Sequence, residues 1–192
     1  MTSSAEELIA LYSEFEGLRL SMVVNSRLQT SGASKTSADV SNSIDRELLK
    51  HLRSVADIAV TDLATAVAES YGPSRIVEIE VWTKSGNSRG LESMNLAGFK
   101  PFSIVTVEDA AARIKYLLQS HSCILLETGP TVSKKIAAEK LIDEACITVT
   151  EAKNEDLALQ ALTRFADDMA LRYLTIRHHH WVAGSLFARL SR

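Results

Sequence analysis

Cysteine is scarce. The chain has two in 192 residues, Cys123 and Cys146, and neither sits in a CxxC or Cys/His spacing that would mark a zinc site or a redox pair. Both lie in apolar, strand-like segments, SCILLE and ACITV, where a small buried thiol is the expected role. Basic charge is equally thin. The 21 Lys and Arg against 24 Asp and Glu leave a net charge of −3, and the cations are scattered among acids. Without a basic stripe to neutralise a phosphate backbone, no nucleic-acid partner is expected. No apolar run approaches the roughly 20 residues that cross a bilayer. The N-terminal MTSSAEELIALYSEF is acidic where a signal peptide is basic. Cytoplasmic residence and no membrane partner follow as expectations. Also missing are a GxGxxG, a Gly-rich Walker loop ending in Lys-Ser/Thr, and a GxSxG, so kinase and hydrolase readings have no positive support.

What the chain does have is material for a core. With 46% hydrophobic and 23% charged residues, it is expected to form one domain spanning residues 1–192. Ser4, followed by Glu7, gives a capping-box pattern ahead of Leu8, Leu11, Tyr12 and Phe15 at helical spacing. Gly17 breaks that helix, and LRLSMVVN (Leu18 to Asn25) reads as a buried strand. Residues 29–43, QTSGASKTSADVSNS, offer almost nothing to bury and read as a long loop, either functional or a solvated connection. Ser43 is placed to cap a helix from Ile44 to Ser54, followed by a strand from Ala56 through Val60 that ends at Thr61 and Asp62. A short helix from Leu63 to Ser70 stops at Tyr71, Gly72 and Pro73.

RIVEIEVWT (Arg75 to Thr83) alternates apolar and polar residues and reads as a half-exposed or edge-side strand. KSGNSRG is a loop, FSIVTV a brief strand, and residues 107–120 an amphipathic helix. SCILLE, a TGPT turn, a helix from Val132 to Lys140 and ACITVT then form a βαβ unit. A helix from Asn154 or Glu155 to Met169 follows, and YLTIRHHHWV and SLFARLSR close the chain as a hairpin around Ala183-Gly184. The alternation implies an α/β domain whose mainly parallel sheet carries antiparallel strands at one side.

The segment LLETGPTVSKK is the first candidate site. Gly129 allows a tight backbone at the carboxyl end of a strand, and Pro130 suits a first helical turn. A helix N-terminus there is a ready anion site, to which Thr131, Ser133 and Lys134 add hydroxyl and cationic contacts. The competing reading is an ordinary strand-to-helix connection. Glu127 is placed either to bind or deprotonate a substrate group or to cap the helix. In HHHW, His178 and His180 face one side of a strand and His179 the other, so only two could share an ion. A strand face near an interface or cleft is the expectation, with no metal site. Asp167-Asp168 reads as a solvated helix face.

LLETGPTVSKKIAAEKLIDEACITV resembles the "EGGPxLxxxLLxxxLVDEL" strand, turn, helix and strand of the riboflavin-biosynthesis pyrimidine reductases, the reductase half of the bifunctional deaminase-reductase. LSMVVNSRLQTSG, SIDRELLKHLRSVADIAV, AESYGPSR, EVWTKSGN and HHHWVAGSLFARLSR extend the likeness over almost the whole chain, with no deaminase half and none of its zinc motif. The resemblance implies a three-layer, dihydrofolate reductase-like fold with a mostly parallel central sheet and an antiparallel C-terminal hairpin. It implies NADPH as cofactor, no metal, a homodimer, and reduction of a small ribosylaminopyrimidine phosphate or related metabolite. Carried over, Glu127 is the catalytic and substrate-side carboxylate, and Gly129, Pro130 and Thr131 form the turn over the cofactor phosphates. Arg27 aligns with a Lys of the "SxDGKxA" strand end and would hold an anionic group. Asn25 stands at its Asp, on the substrate side. Thr65 is the Thr of "VGxGT", beside Thr61 at the strand end.

The departures carry their own expectations. Thr128 replaces the first Gly of the Gly-Gly pair, and Asp62 and Ala64 replace the two glycines of "VGxGT". Side chains there narrow the approach to a pyrophosphate, and Asp62 adds negative charge beside one. AVAESYGPSR replaces an Asp-rich segment, which implies a different substrate, or none. The rival function is a binding or structural homodimer that kept the fold without the catalysis.

Overall fold

The structure, a computed structural model, describes residues 5–12 and 15–192; the expected cap Ser4 lies outside them. The elements are α1 (Ala5–Ala10), β1 (Gly17–Asn25), α2 (Ser43–Ser54), β2 (Ile58–Asp62), α3 (Leu63–Ala68), β3 (Glu78–Thr83), β4 (Phe102–Thr106), α4 (Ala110–Leu117), β5 (Cys123–Leu126), α5 (Pro130–Ala138), β6 (Glu144–Thr150), α6 (Glu155–Asp168), β7 (Thr175–Val182) and β8 (Ser185–Ser191). Among the described residues the strands form one sheet in the order β4-β3-β2-β5-β1-β6-β8-β7. The first six positions are parallel, and β8 and β7 add antiparallel pairings.

Alternation along each strand divides the core into two layers. Leu18, Leu20, Met22 and Val24 of β1 pack with Ile114 of α4, Ile136 of α5 and Phe165 of α6. On the opposite face, Ala59, Ile79, Val81 and Leu125 meet Leu8 of α1, Leu48 and Leu52 of α2, and Ala66 of α3. Both faces are covered, so β1 and β6 read as near-continuous apolar runs, as strands buried on two sides do. The expected βαβ unit is present, but β5 and β6 flank β1 rather than each other. The crossovers leave the carboxyl ends of the parallel strands, Asn25, Asp62, Thr83, Leu126 and Thr150, along one edge of the sheet.

Three expectations are corrected. RIVEIEVWT is not an edge strand: β3 lies between β2 and β4. Its polar Glu80 is 4% exposed, because the carboxylate is held by the Arg113 guanidinium and by the Trp82 indole N–H at 2.7 Å. Alternation registers polarity but not a partner supplied by another element. The α2 cap is Asn42 rather than Ser43; its side chain accepts the Asp45 N–H at 2.9 Å. The first helix ends at Ala10, and Phe15 lies beneath the Arg19 guanidinium, 4.7 Å from its ring centroid.

The hairpin forms where Ala183-Gly184 places it. Both residues have positive φ, 49° and 74°, the twist that a two-residue hairpin turn requires. His178 and His180 share the α1 side of β7, with His178 edge-on to Tyr12 at 5.7 Å between centroids. His179 points the other way, 3.3 Å from Glu155.

Candidate active site

The site begins with two strand ends held side by side. β2 and β5 pair in parallel, Val60 opposite Leu126. The Glu127 N–H continues the ladder to the Val60 carbonyl at 2.8 Å, and the buried Thr61 hydroxyl donates to the Glu127 carbonyl at 3.1 Å. Glu127 is therefore fixed at the backbone before its side chain makes a contact. That side chain is buried and met by two residues distant in sequence. Arg53, at the end of α2, donates Nε to Oε1 at 2.8 Å and Nη2 to Oε2 at 2.5 Å. Tyr71, just past α3, donates its hydroxyl to Oε2, and the guanidinium stacks on its ring at 5.0 Å.

Charge and burial in this trio reinforce the arrangement. Burial, and then the Glu127 charge, push the Tyr71 phenol well above its usual range, so it remains a donor at neutral pH. Burial opposes the Arg53 charge, but the Glu127 carboxylate more than offsets this and raises the guanidinium above its ordinary value. Glu127 has one hydrogen bond at Oε1 and two at Oε2, which leaves Oε1 room for one more donor.

The turn after Glu127 is closed by its own side chains. The Thr128 hydroxyl meets the Ser133 hydroxyl at 2.8 Å, and Ser133 donates to the Thr128 carbonyl at 3.0 Å, strapping the first turn of α5. Gly129 has φ −61° and ψ 165°, a conformation any residue adopts, so its backbone needs no glycine. Space decides instead: a Cβ there would stand 3.2 Å from the Thr65 hydroxyl and 3.4 Å from Asp62 Oδ2. The Gly129 N–H donates to Asp62 Oδ2 at 2.7 Å. Asp62 also caps α3, accepting the Thr65 N–H at Oδ1 and the Thr65 hydroxyl at Oδ2, both at 3.0 Å. Pro130 is the first residue of α5 and supplies no donor.

Two cavities open on this edge. The larger, about 760 Å³, lies beside α4 and α5 and is lined by Asp62, Trp82, Lys84, Arg89, Thr131 and Lys135 among others. The smaller, about 290 Å³, is lined by Asp45, Arg46, Thr65, Tyr71, Glu127, Thr128, Gly129 and Pro130 among others. Ala64 lines both. Asp45 is capped by the Ser41 hydroxyl at 2.7 Å. Burial raises its carboxyl above the ordinary range, against the lowering effect of the Thr148 and Ser41 hydroxyls.

The structure brings together Thr61, Asp62, Thr65, Glu127, Thr128, Gly129, Pro130 and Thr131. It does not bring Arg27 or Asn25 to them. The Arg27 side chain is 76% exposed, stands 3.7 Å from Glu151 and lines neither cavity. Asn25 is buried and shapes the following turn, accepting the Arg27 and Gln29 N–H groups at 3.0 Å each. Arg53, Tyr71 and Asp45 escaped the sequence reading. Arg53 and Asp45 sit on an amphipathic helix where charge signals a solvated face, and Tyr71 registered only as a helix stop. Among the described residues, no group of three His, Cys, Asp or Glu comes together as a metal site, and no helix is long and apolar enough to cross a membrane.

Solved structures share this architecture at low identity. A pyrimidine reductase-like protein from Corynebacterium diphtheriae superposes with a TM-score of 0.63 and 14% identity, covering 98% of each chain. The bifunctional deaminase/5-amino-6-(5-phosphoribosylamino)uracil reductase of Thermotoga maritima gives 0.65 at 8% identity, with 96% of this chain spanning 59% of that longer one. The dihydrofolate reductase of Enterococcus faecalis, complexed with NADP(H), gives 0.58 at 11% identity over 92% and 96% of the two chains. No protein-family model and no curated protein sequence matches the chain. The fold is therefore dihydrofolate reductase-like, three layers around a mostly parallel sheet with an antiparallel C-terminal hairpin.

Proposed function

We propose that this protein is an NADPH-dependent reductase of a small ribosylaminopyrimidine phosphate or a related metabolite, as in riboflavin biosynthesis. The observation that supports it most is the pair of adjoining cavities at the carboxyl edge of the sheet, sharing Ala64 and flanking the turn from Thr128 to Thr131. Ligands of open α/β sheets bind at that edge, and the larger cavity has the size of a cofactor pocket, roughly 300–1,000 Å³.

The larger cavity offers three cations to an anionic dinucleotide. Lys84, Arg89 and Lys135 contribute positive charge. Four acids stand beside them: Asp62, bonded to Gly129 and Thr65; Asp109, capping α4; Glu139, 3.6 Å from Lys115; and Glu108. Lys84 and Arg89 would hold phosphate, Thr131 would donate its N–H, and Trp82 would offer an apolar wall. NADPH, when bound, supplies a hydride. The smaller cavity would take the substrate. Glu127 Oε1 would accept one substrate N–H or O–H, with Arg53 and Tyr71 fixing the carboxylate. Asp45 would be placed to hold a proton, and Arg46 and Lys35 would meet a phosphate group. The cited neighbours include a uracil reductase and a dihydrofolate reductase complexed with NADP(H), which supports a nicotinamide cofactor and a heterocyclic substrate. A homodimer belongs to the same reading; it would elute at roughly twice the 21.0 kDa chain mass.

Thermal unfolding with added ligand tests the cofactor. NADPH at about 100 times its dissociation constant should add about 2.7 kcal/mol to the folded state, seen as a rise of several degrees in Tm. The absence of a shift with NADPH or NADH at millimolar concentration would overturn the reductase reading.

A further inference from the structure

We infer that Asp62 is a specificity-determining residue of the larger cavity: its carboxylate fills, from within the chain, the anion position at the start of α5. This rests on the proposal that the larger cavity takes a phosphate-bearing dinucleotide. A phosphate group would then bind at this corner only against the Asp62 charge.

The donors show why. The Gly129 N–H goes to Asp62 Oδ2 at 2.7 Å, the Thr65 hydroxyl to the same atom at 3.0 Å, and the Thr65 N–H to Oδ1 at 3.0 Å. One carboxylate thus takes three donors from two helix starts. Of the following residues, Pro130 has no N–H, and those of Val132 and Ser133 return to the Gly129 carbonyl at 3.1 Å each. The Thr131 N–H is the first-turn amide without a partner among the described residues, and Thr131 lines the larger cavity. The corner is close-packed as well: a Cβ on Gly129 would stand 3.2 Å from the Thr65 hydroxyl and 3.4 Å, ordinary van der Waals contact, from Asp62 Oδ2.

Helix starts attract anions through these same amides and the helix dipole. Here that attraction is answered by a carboxylate that cannot leave, so a ligand phosphate placed at Gly129 meets a like charge, and the Thr131 N–H is the donor the turn still offers. The pyrophosphate of a bound dinucleotide is directed away from Gly129, toward Lys84, Arg89 and Lys135. Discrimination by phosphate charge therefore centres on residue 62.

The test is the Asp62→Asn variant, in which the amide oxygen keeps the Thr65 N–H cap, the amide NH2 gives up the bond from Gly129, and the charge is removed. NADPH is titrated into wild type and variant, both carrying Trp181→Phe, while Trp82 emission is followed. Asp62→Asn should bind NADPH at least about 10-fold tighter than wild type. A variant that binds while wild type does not would equally support the inference, and would show that the reductase reading fails for the natural chain. NADPH affinity equal within threefold, or weaker in the variant, would overturn the inference and leave the dinucleotide reading intact. Binding by neither protein would overturn both. Asp62→Ser, another capping residue without charge, runs in parallel and decides the matter if Asp62→Asn does not fold.

Discussion

Replacing Glu144 with alanine is expected to remove about 3–5 kcal/mol of folding free energy, a fall of roughly 10 °C in Tm for a chain of this size. Glu144 and Arg19 are both 0% exposed, with Arg19 Nε donating to Oε1 at 2.7 Å, while the partly exposed Arg189 side chain of β8 donates to Oε2. The Coulomb attraction between the two desolvated charges does not by itself make the pair stabilising, because removing both from water costs several kcal/mol per ion. Removing one partner is another matter. It takes the Glu144 carboxylate from the buried Arg19 guanidinium, on the face of the sheet packed by α1 and α2, whereas the partly exposed Arg189 can turn to solvent. The double variant Arg19→Met with Glu144→Leu removes both charges and is expected to recover most of the loss. Chemical denaturation of the three proteins checks this. A single variant melting within about 2 °C of wild type would show that the pair is not desolvated.

Glu127→Gln is expected to cost about 1.5–3 kcal/mol of stability and to leave NADPH affinity within about threefold. The stability loss follows from the charge-assisted bonds: Gln presents its amide NH2, itself a donor, to one of the donors that now point at the carboxylate, the Arg53 guanidinium or the Tyr71 hydroxyl. The unchanged affinity follows from position, since Glu127 lines the smaller cavity and not the larger. Tenfold weaker NADPH binding in a folded Glu127→Gln protein would mean that the two ligand positions have been assigned to the wrong cavities. A catalytic role shows separately, as a fall in turnover once a substrate is found, with NADPH affinity retained.

The sequence disclosed the parts of this site that depend on neighbours along the chain. The start of α5 was legible in Thr128, Gly129 and Pro130 because a helix start is local chemistry, and Ala183-Gly184 marked the hairpin for the same reason. Glu80 misled because its partner, Arg113, arrives from another element 33 residues on. Glu127 could be singled out, but not the residues that hold it, which come from 74 and 56 residues away. Arg27 shows the reverse failure. Its place after a strand suggested a site, yet the Asn25 turn carries its side chain to solvent. The charge of Asp62 was visible beside the expected pyrophosphate, whereas its bond to Gly129 required the register that sets β2 against β5.

The most direct test of the larger cavity as a nicotinamide site uses Trp82, which lines it and is 5% exposed. In the Trp181→Phe protein Trp82 is the sole tryptophan, and reduced nicotinamide absorbs where tryptophan emits. Titration with NADPH should give saturable quenching with half-saturation below about 1 mM, the upper end of ordinary cofactor and substrate constants. Emission that falls only linearly with added NADPH, with no saturation and no difference from free tryptophan, would contradict the dinucleotide assignment and the reductase function built on it.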